Sequence, residues 1–377
     1  MGCLGALLLA SCVGERSPGP PPPISHAQKM SPIPFSSLPG WQADAVVEAL
    51  PAFRQSCVAF RRRPSHHWVG PGTLGGTVGV WHTFCDDLDA AFPGHVTANP
   101  VAFRSFLEGR LQPWAVARRY KNGRLKKRGT FTGYYEAELK GCRTKTPKCR
   151  VPLYGPPPGA ITGVSDVPPL PSRAAIERGA LEGTAPVILY AEHTVDVHIL
   201  QIQGSGRVTF PDGYVQRVGF AGSNGHPFRG LGRILLDKGL LQSGQSTMPF
   251  IRSWLKAHPR QAISLMRENP RYIFFRTIDG EADGPIGALF VPLTPQRSLA
   301  VDQRYVPLGI PMWLVTHDAR HRPLKRLMLA QDAGSAIKGV VRGDFFWGFG
   351  EEALKEAGSM KSPGSWYLLL PRLPKKG

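Results

Sequence analysis

Between Leu327 and Gly350 the chain reads LMLAQDAGSAIKGVVRGDFFWGFG, and two aspartates stand out in it. Asp332 ends an apolar run and opens a Gly-rich turn. Asp344 follows twelve residues later, directly before Phe345, Phe346 and Trp347. A carboxyl group packed among aromatic rings loses hydration, and a second carboxylate nearby adds repulsion. Both effects keep its proton on near neutral pH. Such an acid can protonate the bridging oxygen of a glycosidic bond, where an oxocarbenium-like transition state develops. A third carboxylate, Asp302, lies upstream in VDQRYVPLG. A lone Asp beside Gly usually just caps a turn, so the cluster counts for more than any one member.

In that order, VDQRYVPLG, AQDAGSAIKG and RGDFFWGFG resemble the C-terminal three-Asp (3D) domain of the membrane-bound lytic transglycosylase A family. Further blocks agree: FTGYYEAEL (131–139), QIQGSGRV (201–208), FAGSNGHPFRGLG (220–232) and ENPRYIFF (268–275). The resemblance implies a mainly β fold with helices (α+β), in which a double-psi β-barrel domain carries a second, inserted β-domain. The expected division is a leader and linker over 1–35, a barrel domain over 36–137 plus 276–372, and an insert over 138–275. The family cuts the bond between N-acetylmuramic acid and N-acetylglucosamine in peptidoglycan, leaving 1,6-anhydro ends. Its catalytic Asp matches Asp344, with Asp332 and Asp302 in support. The segments that line its glycan groove match Thr132, Gly133, Tyr134 and Tyr135, then Gln203, Gly204, Ser205 and Gly206, then Asn224 and His226. Trp347 is expected to stack on a sugar face. Glu136 is given no role. No cofactor and no metal is expected.

Two other readings compete. A glycosidase using water would need a second carboxylate across the sugar, and Asp332 is the only candidate. A non-catalytic wall-binding module would not need the intact Asp344. Gln203-Gly-Ser-Gly superficially resembles a phosphate loop, but it precedes a strand and not a helix. Ser205 has no GxSxG context.

These residues need elements to hold them. Gly129–Glu138 and the runs YIFFR, ALFVPL, MWLVT, RLMLAQD, GDFFWG and SWYLLLP from Tyr272 onward read as strands. Their Tyr, Thr, Val and Phe content suits a pleated sheet. Thr194–Phe210 reads as two strands around a Gly turn. Residues 41–120 read mainly as helix, with Asn99-Pro100 as N-cap and first helical residue. Arg229–Leu241 and Met248–Arg267 return to helix, and Pro259 must kink or restart the latter. Many short strands favour a barrel, with a ligand groove between two domains.

The chain has 377 residues, 43 Gly and 37 Pro, and a formal net charge of +19. So basic a protein suits a polyanion. Nucleic acid is not expected, because zinc-finger spacing, aromatic RNA-binding signatures and a basic helix are all missing. The dense basic run Lys121–Arg128 reads as a solvated loop. Leu7–Cys12 (LLLASC) resembles a lipobox, with Cys12 as the lipidated residue, although no basic n-region precedes it. Pro18–Pro23 would follow as an extended tether. The expected partners are therefore peptidoglycan glycan strands and a membrane reached through an N-terminal lipid anchor. The expected location is the periplasm of a diderm bacterium, at the outer membrane, as a monomer. Cys57, Cys85, Cys142 and Cys149 form an even set in an exported chain, so disulfides are expected. Cys57 and Cys85 lie on separate helical seams that a bridge could staple. Cys142 and Cys149 would close a short loop.

Overall fold

The computed structural model describes residues 20, 25–73, 75–94, 98–159, 169–242, 247–279 and 284–372. Cys12 lies outside them. Strand β1 (Gln28–Pro32) comes first, inside the stretch expected to be linker. Three helices follow: α1 (Leu50–Arg61), α2 (Val78–Ala91) and α3 (Pro100–Arg110). In α1, Leu50, Phe53, Cys57 and Phe60 recur at helical spacing and are all buried. They meet Trp81, Cys85 and Leu88 of α2 in one core, and a Cys57–Cys85 disulfide joins the two helices. The Asn99 side chain caps α3 by accepting from the backbone N–H of Val101 and Ala102.

The chain then enters β2 (Leu111–Arg119), a two-residue β3 (Leu125–Lys126) and the long β4 (Gly129–Cys142). Lys121–Arg128 is exposed throughout, but it includes β3 and so is the tip of a hairpin and not merely a loop. Next come β5 (Val151–Tyr154), α4 (Arg173–Ile176), β6 (Val187–Ala191) and α5 (Thr194–Gln203). The helix α5 corrects the expected strand pair over Thr194–Phe210. Val195, Val197 and Ile199 alternate as in a strand, yet Val197 and Leu200 pack together into the core of the insert. Gly204 ends the helix at φ 83°, a left-handed conformation that suits Gly. Only the second half is a strand, β7 (Ser205–Thr209), followed by β8 (Val215–Ser223). Then come α6 (Leu231–Asp237), α7 (Met248–Ala257), α8 (Pro259–Arg267) and β9 (Ile273–Ile278). Pro259 restarts the helix, since it lacks the N–H that an unbroken helix would need.

The last stretch holds β10 (Ser298–Val301), β11 (Pro311–His317), β12 (Pro323–Asp332), β13 (Arg342–Phe349), α9 (Gly350–Ser359) and β14 (Lys361–Pro371). The expected strand at ALFVPL is instead a turn with one isolated bridge, Ile286 to Pro292. Phe290 there has φ 60°, which no strand residue adopts.

Six strands close on themselves in the order β14, β11, β12, β10, β13, β4 and back to β14. Trp313, Trp366, Phe131 and Phe345 are fully buried in the core that this ring shares with α1–α3. Burying each such side chain is worth roughly 1.5–3 kcal/mol. On β13, Phe345 and Phe346 are buried while Arg342 and Asp344 are half-buried.

The strand β4 belongs to two units. Its first half pairs with β13 and β14 in the ring. From Ala137 onward it pairs with β7, and at its end with β6. The second unit, with β5–β9 and α4–α8, thus hangs from a continuous strand. Glu136, at the crossover, is fully buried between Arg207 at 2.9 Å and Arg217 at 3.1 Å. One carboxylate bridging two guanidiniums at this point locks β4, β7 and β8 together.

Candidate active site

Asp344 lies on β13 between β10 and β4. Its register partners are Ala300 on one side and Thr132 on the other. Because alternate residues of a strand share a face, Arg342 and Asp344 look the same way. The Thr132 hydroxyl donates to Asp344 Oδ1, and Arg342 Nη2 donates to Thr132 Oγ1 at 2.8 Å. Asp344 is half-buried, open to a groove but densely surrounded by protein. Burial is the largest influence and pushes its carboxyl up to about 6. Arg342 and the Thr132 hydrogen bond pull it down, and Asp332 adds to the rise.

Asp332 ends β12, on the far side of Ala300 from Asp344. Its Oδ2 accepts from the Tyr134 hydroxyl and its Oδ1 from the backbone N–H of Ala288, both at 2.9 Å. Burial raises its pKa against these hydrogen bonds. The Tyr134 hydroxyl is pushed far above its ordinary value by burial first and by Asp332 next, so it keeps its proton and remains a donor.

Asp302 is placed elsewhere in the site's support. Its carboxylate pairs with Arg304 at 2.7 Å and accepts from the Gly339 N–H at 2.7 Å. Burial pushes it up, but the hydrogen bonds from Arg304 and Gly339 outweigh that and hold it below the usual range. It anchors the loop 334–341, whose residues Gly334, Ser335 and Ile337 wall the groove.

The groove encloses about 790 Å³ between the ring and the second unit. Asp344, Thr132, Gly133, Tyr134 and Tyr135 line it from the ring side, and Gln203 from the other. Gln203 Oε1 also accepts from the Tyr135 N–H at 3.1 Å, which stitches α5 to β4. Gly133 permits a close approach: a Cβ there would lie 2.7 Å from both Ala357 Cα and Trp347 Nε1.

Several expected residues do not reach the groove. Trp347 is one residue out of phase with Phe346, so it points to the opposite face of β13 from Asp344 and packs on Phe345. It walls the interior and is not among the groove-lining residues. Gly204 is the helix C-cap, Ser205 is buried in β7, and Gly206 pairs with Ala137. Asn224 is buried and bonded to the carbonyls of Pro171 and Pro270 and to the Tyr272 N–H. The His226 ring meets the Leu170 carbonyl at 2.9 Å. These last two fold the loop that presents Phe228, which does line the groove.

Sequence reasoning missed Phe228, Arg271, Ser335, Met248 and Lys361, all of which face the groove. Arg271 and Phe228 stand inside recognised blocks, so that signal was available. Lys361 and Met248 carry no local signal. Lys361 reaches the site because β14 closes the ring against Thr132. Among the described residues no cluster of His, Cys, Asp or Glu is suited to hold a metal ion.

Two family profiles match the chain: the MltA specific insert domain over residues 130–276 and the 3D domain over 297–370. The crystal structure of MltA from Neisseria gonorrhoeae is 33% identical, with a TM-score of 0.75. The match covers 96% of this chain and 98% of that one. The chain belongs to the MltA family. A membrane-bound lytic murein transglycosylase from Agrobacterium tumefaciens is also 33% identical, with a TM-score of 0.77, over 91% of this chain and 98% of that one. The membrane-bound lytic murein transglycosylase A of Escherichia coli K12 is 32% identical over 248 residues. That match spans 63% of this chain and 65% of the relative's length, just under two thirds. The MltA-specific insert begins within β4, and the 3D match covers β10–β14, so the groove lies where the two matched regions face each other.

Proposed function

We propose that this chain is a peptidoglycan lytic transglycosylase. It cleaves the β-1,4 bond from N-acetylmuramic acid to N-acetylglucosamine and leaves 1,6-anhydromuramoyl ends. The observation that carries this reading is Asp344, a carboxyl pushed up to about 6 on the wall of a polymer-sized groove. Protonated Asp344 gives its proton to the bridging oxygen as the bond from that oxygen to C1 breaks. The resulting carboxylate then takes the proton of the muramoyl C6 hydroxyl, whose oxygen bonds to C1. One side chain thus acts first as acid and then as base, worth about 10²–10⁴-fold. The nucleophile is part of the substrate, which supplies the proximity advantage of an intramolecular reaction.

The neighbours of Asp344 suit this cycle. Arg342 polarises the Thr132 hydroxyl, and that hydroxyl holds Oδ1. Together they steady the carboxylate stage without fixing it there. Asp332 is a poor partner for a water-based glycosidase, since each of its oxygens already accepts a hydrogen bond. It acts instead on the charge of Asp344.

The closed six-strand ring is proposed to be of the double-psi type. The lipobox-like Cys12 supports anchoring as a lipoprotein at the outer membrane, facing the periplasm, with the enzyme acting as a monomer on glycan strands. No helix among the described residues is long and apolar enough to cross a membrane.

Mass spectrometry of purified sacculi after digestion tests the reaction. Anhydromuramoyl ends support the proposal, and reducing ends at the same positions would overturn it in favour of hydrolysis.

A further inference from the structure

Beyond the groove, the strongest feature is a cationic prong. From Arg118 to Arg128 the chain reads RRYKNGRLKKR: seven basic residues and no acidic one in eleven positions. The structure makes it the β2–β3 hairpin. Arg118 pairs with Lys126 and Arg119 with Leu125, and the tip turns at Gly123 with φ 78°. Arg118 and Arg124 stack on the Tyr120 ring, at 4.9 and 5.0 Å from its centre. The basic side chains of 121–128 are exposed, and none of the seven is ion-paired among the described residues. Elsewhere on this basic protein many arginines are neutralised, as Arg207, Arg217 and Arg297 are by buried or half-buried acids. The hairpin stays uncompensated.

Its position gives the charge a direction. β1 pairs with the same end of β2, Gln28 opposite Arg118, and the Arg119 N–H donates to the Ala27 carbonyl at 2.7 Å. Residues 25–28 therefore lie against the root of the prong. Residues before Ser25 must connect there.

We propose that the β2–β3 hairpin docks on the anionic phospholipid surface of the membrane to which the chain is anchored. This rests on the lipid-anchored reading above. A tether alone confines the enzyme near the bilayer but leaves its orientation free. A multivalent basic patch beside the start of β1 adds a second contact and turns one face of the barrel to the headgroups. Each Lys or Arg near such a surface strengthens binding about fivefold, and the contact weakens as salt rises.

The test uses the full chain carrying Cys12→Ser, which removes the acyl chain, in sedimentation with vesicles. One set contains phosphatidylglycerol and the other only phosphatidylcholine. The protein should pellet with the anionic set at low salt and be released at high salt. A fourfold variant, Lys121→Gln, Lys126→Gln, Lys127→Gln and Arg128→Gln, should lose at least about a hundredfold in partitioning. Its thermal midpoint and its release of muropeptides from free sacculi should stay unchanged, because none of the four touches the groove. Equal pelleting of variant and parent, or no preference for the anionic set, would overturn the proposal. Loss of sacculus binding with vesicle binding intact would also overturn it and assign the prong to the wall polymer. Absence of muropeptide release by the parent protein would count against the proposed reaction and not against the docking surface.

Discussion

Asp332 and Asp344 stand on strands to either side of Ala300, so only a methyl side chain separates the strand positions of two carboxyl groups. Two interstrand spacings put their backbones about 10 Å apart. The charge of Asp332 adds to the raised pKa of Asp344, while each carboxyl keeps its own hydroxyl partner. The Tyr134 hydroxyl holds Asp332 on one side, and the Thr132 hydroxyl holds Asp344 on the other. The two hydroxyls leave the same strand two residues apart.

This arrangement sets the sign of two mutational effects. Asp332→Asn removes the repulsion that helps to raise Asp344, so the fall in activity at high pH should move to lower pH. Arg342→Gln removes the cation that pulls Asp344 down, so the fall should move to higher pH. Profiles of kcat/KM against pH on solubilised glycan check both. A shift in the same direction for the two variants would contradict the assignment.

Asp344→Asn should lower muropeptide release by about 10²–10⁴-fold, yet fold normally. It should also stabilise the protein near neutrality. The folded-state pKa of about 6 lies above the unfolded value of 3.8. The folded state therefore binds its proton more tightly, and stability falls as pH rises from the unfolded value through about 6. Removing the charge should return about 2–3 kcal/mol above that pH. Chemical denaturation at pH 5 and pH 8 measures it, and the gain should be smaller at pH 5.

Glu136→Ala should be destabilising without changing the pH profile. It leaves Arg207 and Arg217 without their shared carboxylate at the point where β4 passes between units. Breaking a buried pair costs about 3–5 kcal/mol. A lowered denaturation midpoint with an unchanged activity limb is the expected result.

Removing the Cys57–Cys85 bridge by a double change to Ala should cost about 2–4 kcal/mol, since it closes a long loop. Removing Cys142–Cys149, only seven residues apart, should cost less. Urea titrations of the two variants compare them directly.

Much of this site was legible before the structure because its chemistry is local in sequence. The three aromatic residues after Asp344 drew attention to it, the family resemblance pointed to Thr132 to Tyr135, and the structure places all five along one groove. What failed depended on tertiary context. Trp347 faces inward because strand phase, and not proximity to Asp344, decides its side. Thr194–Gln203 is helical because Val197 and Leu200 need a common buried face. Gly204, Gly206 and Asn224 matter for backbone geometry, which a motif match does not separate from ligand contact. Lys361 enters the groove only through closure of the ring, a pairing between residues more than two hundred positions apart.

The most direct test is the protonation of Asp344 itself. Carbon-13 spectra of protein labelled at aspartate carboxyls, with the Asp344 signal assigned by its loss in Asp344→Asn, follow it across pH. A midpoint near 6 is predicted. A midpoint near 4, the value of an ordinary exposed aspartate, would mean that no acid is held ready at neutral pH and would contradict the account.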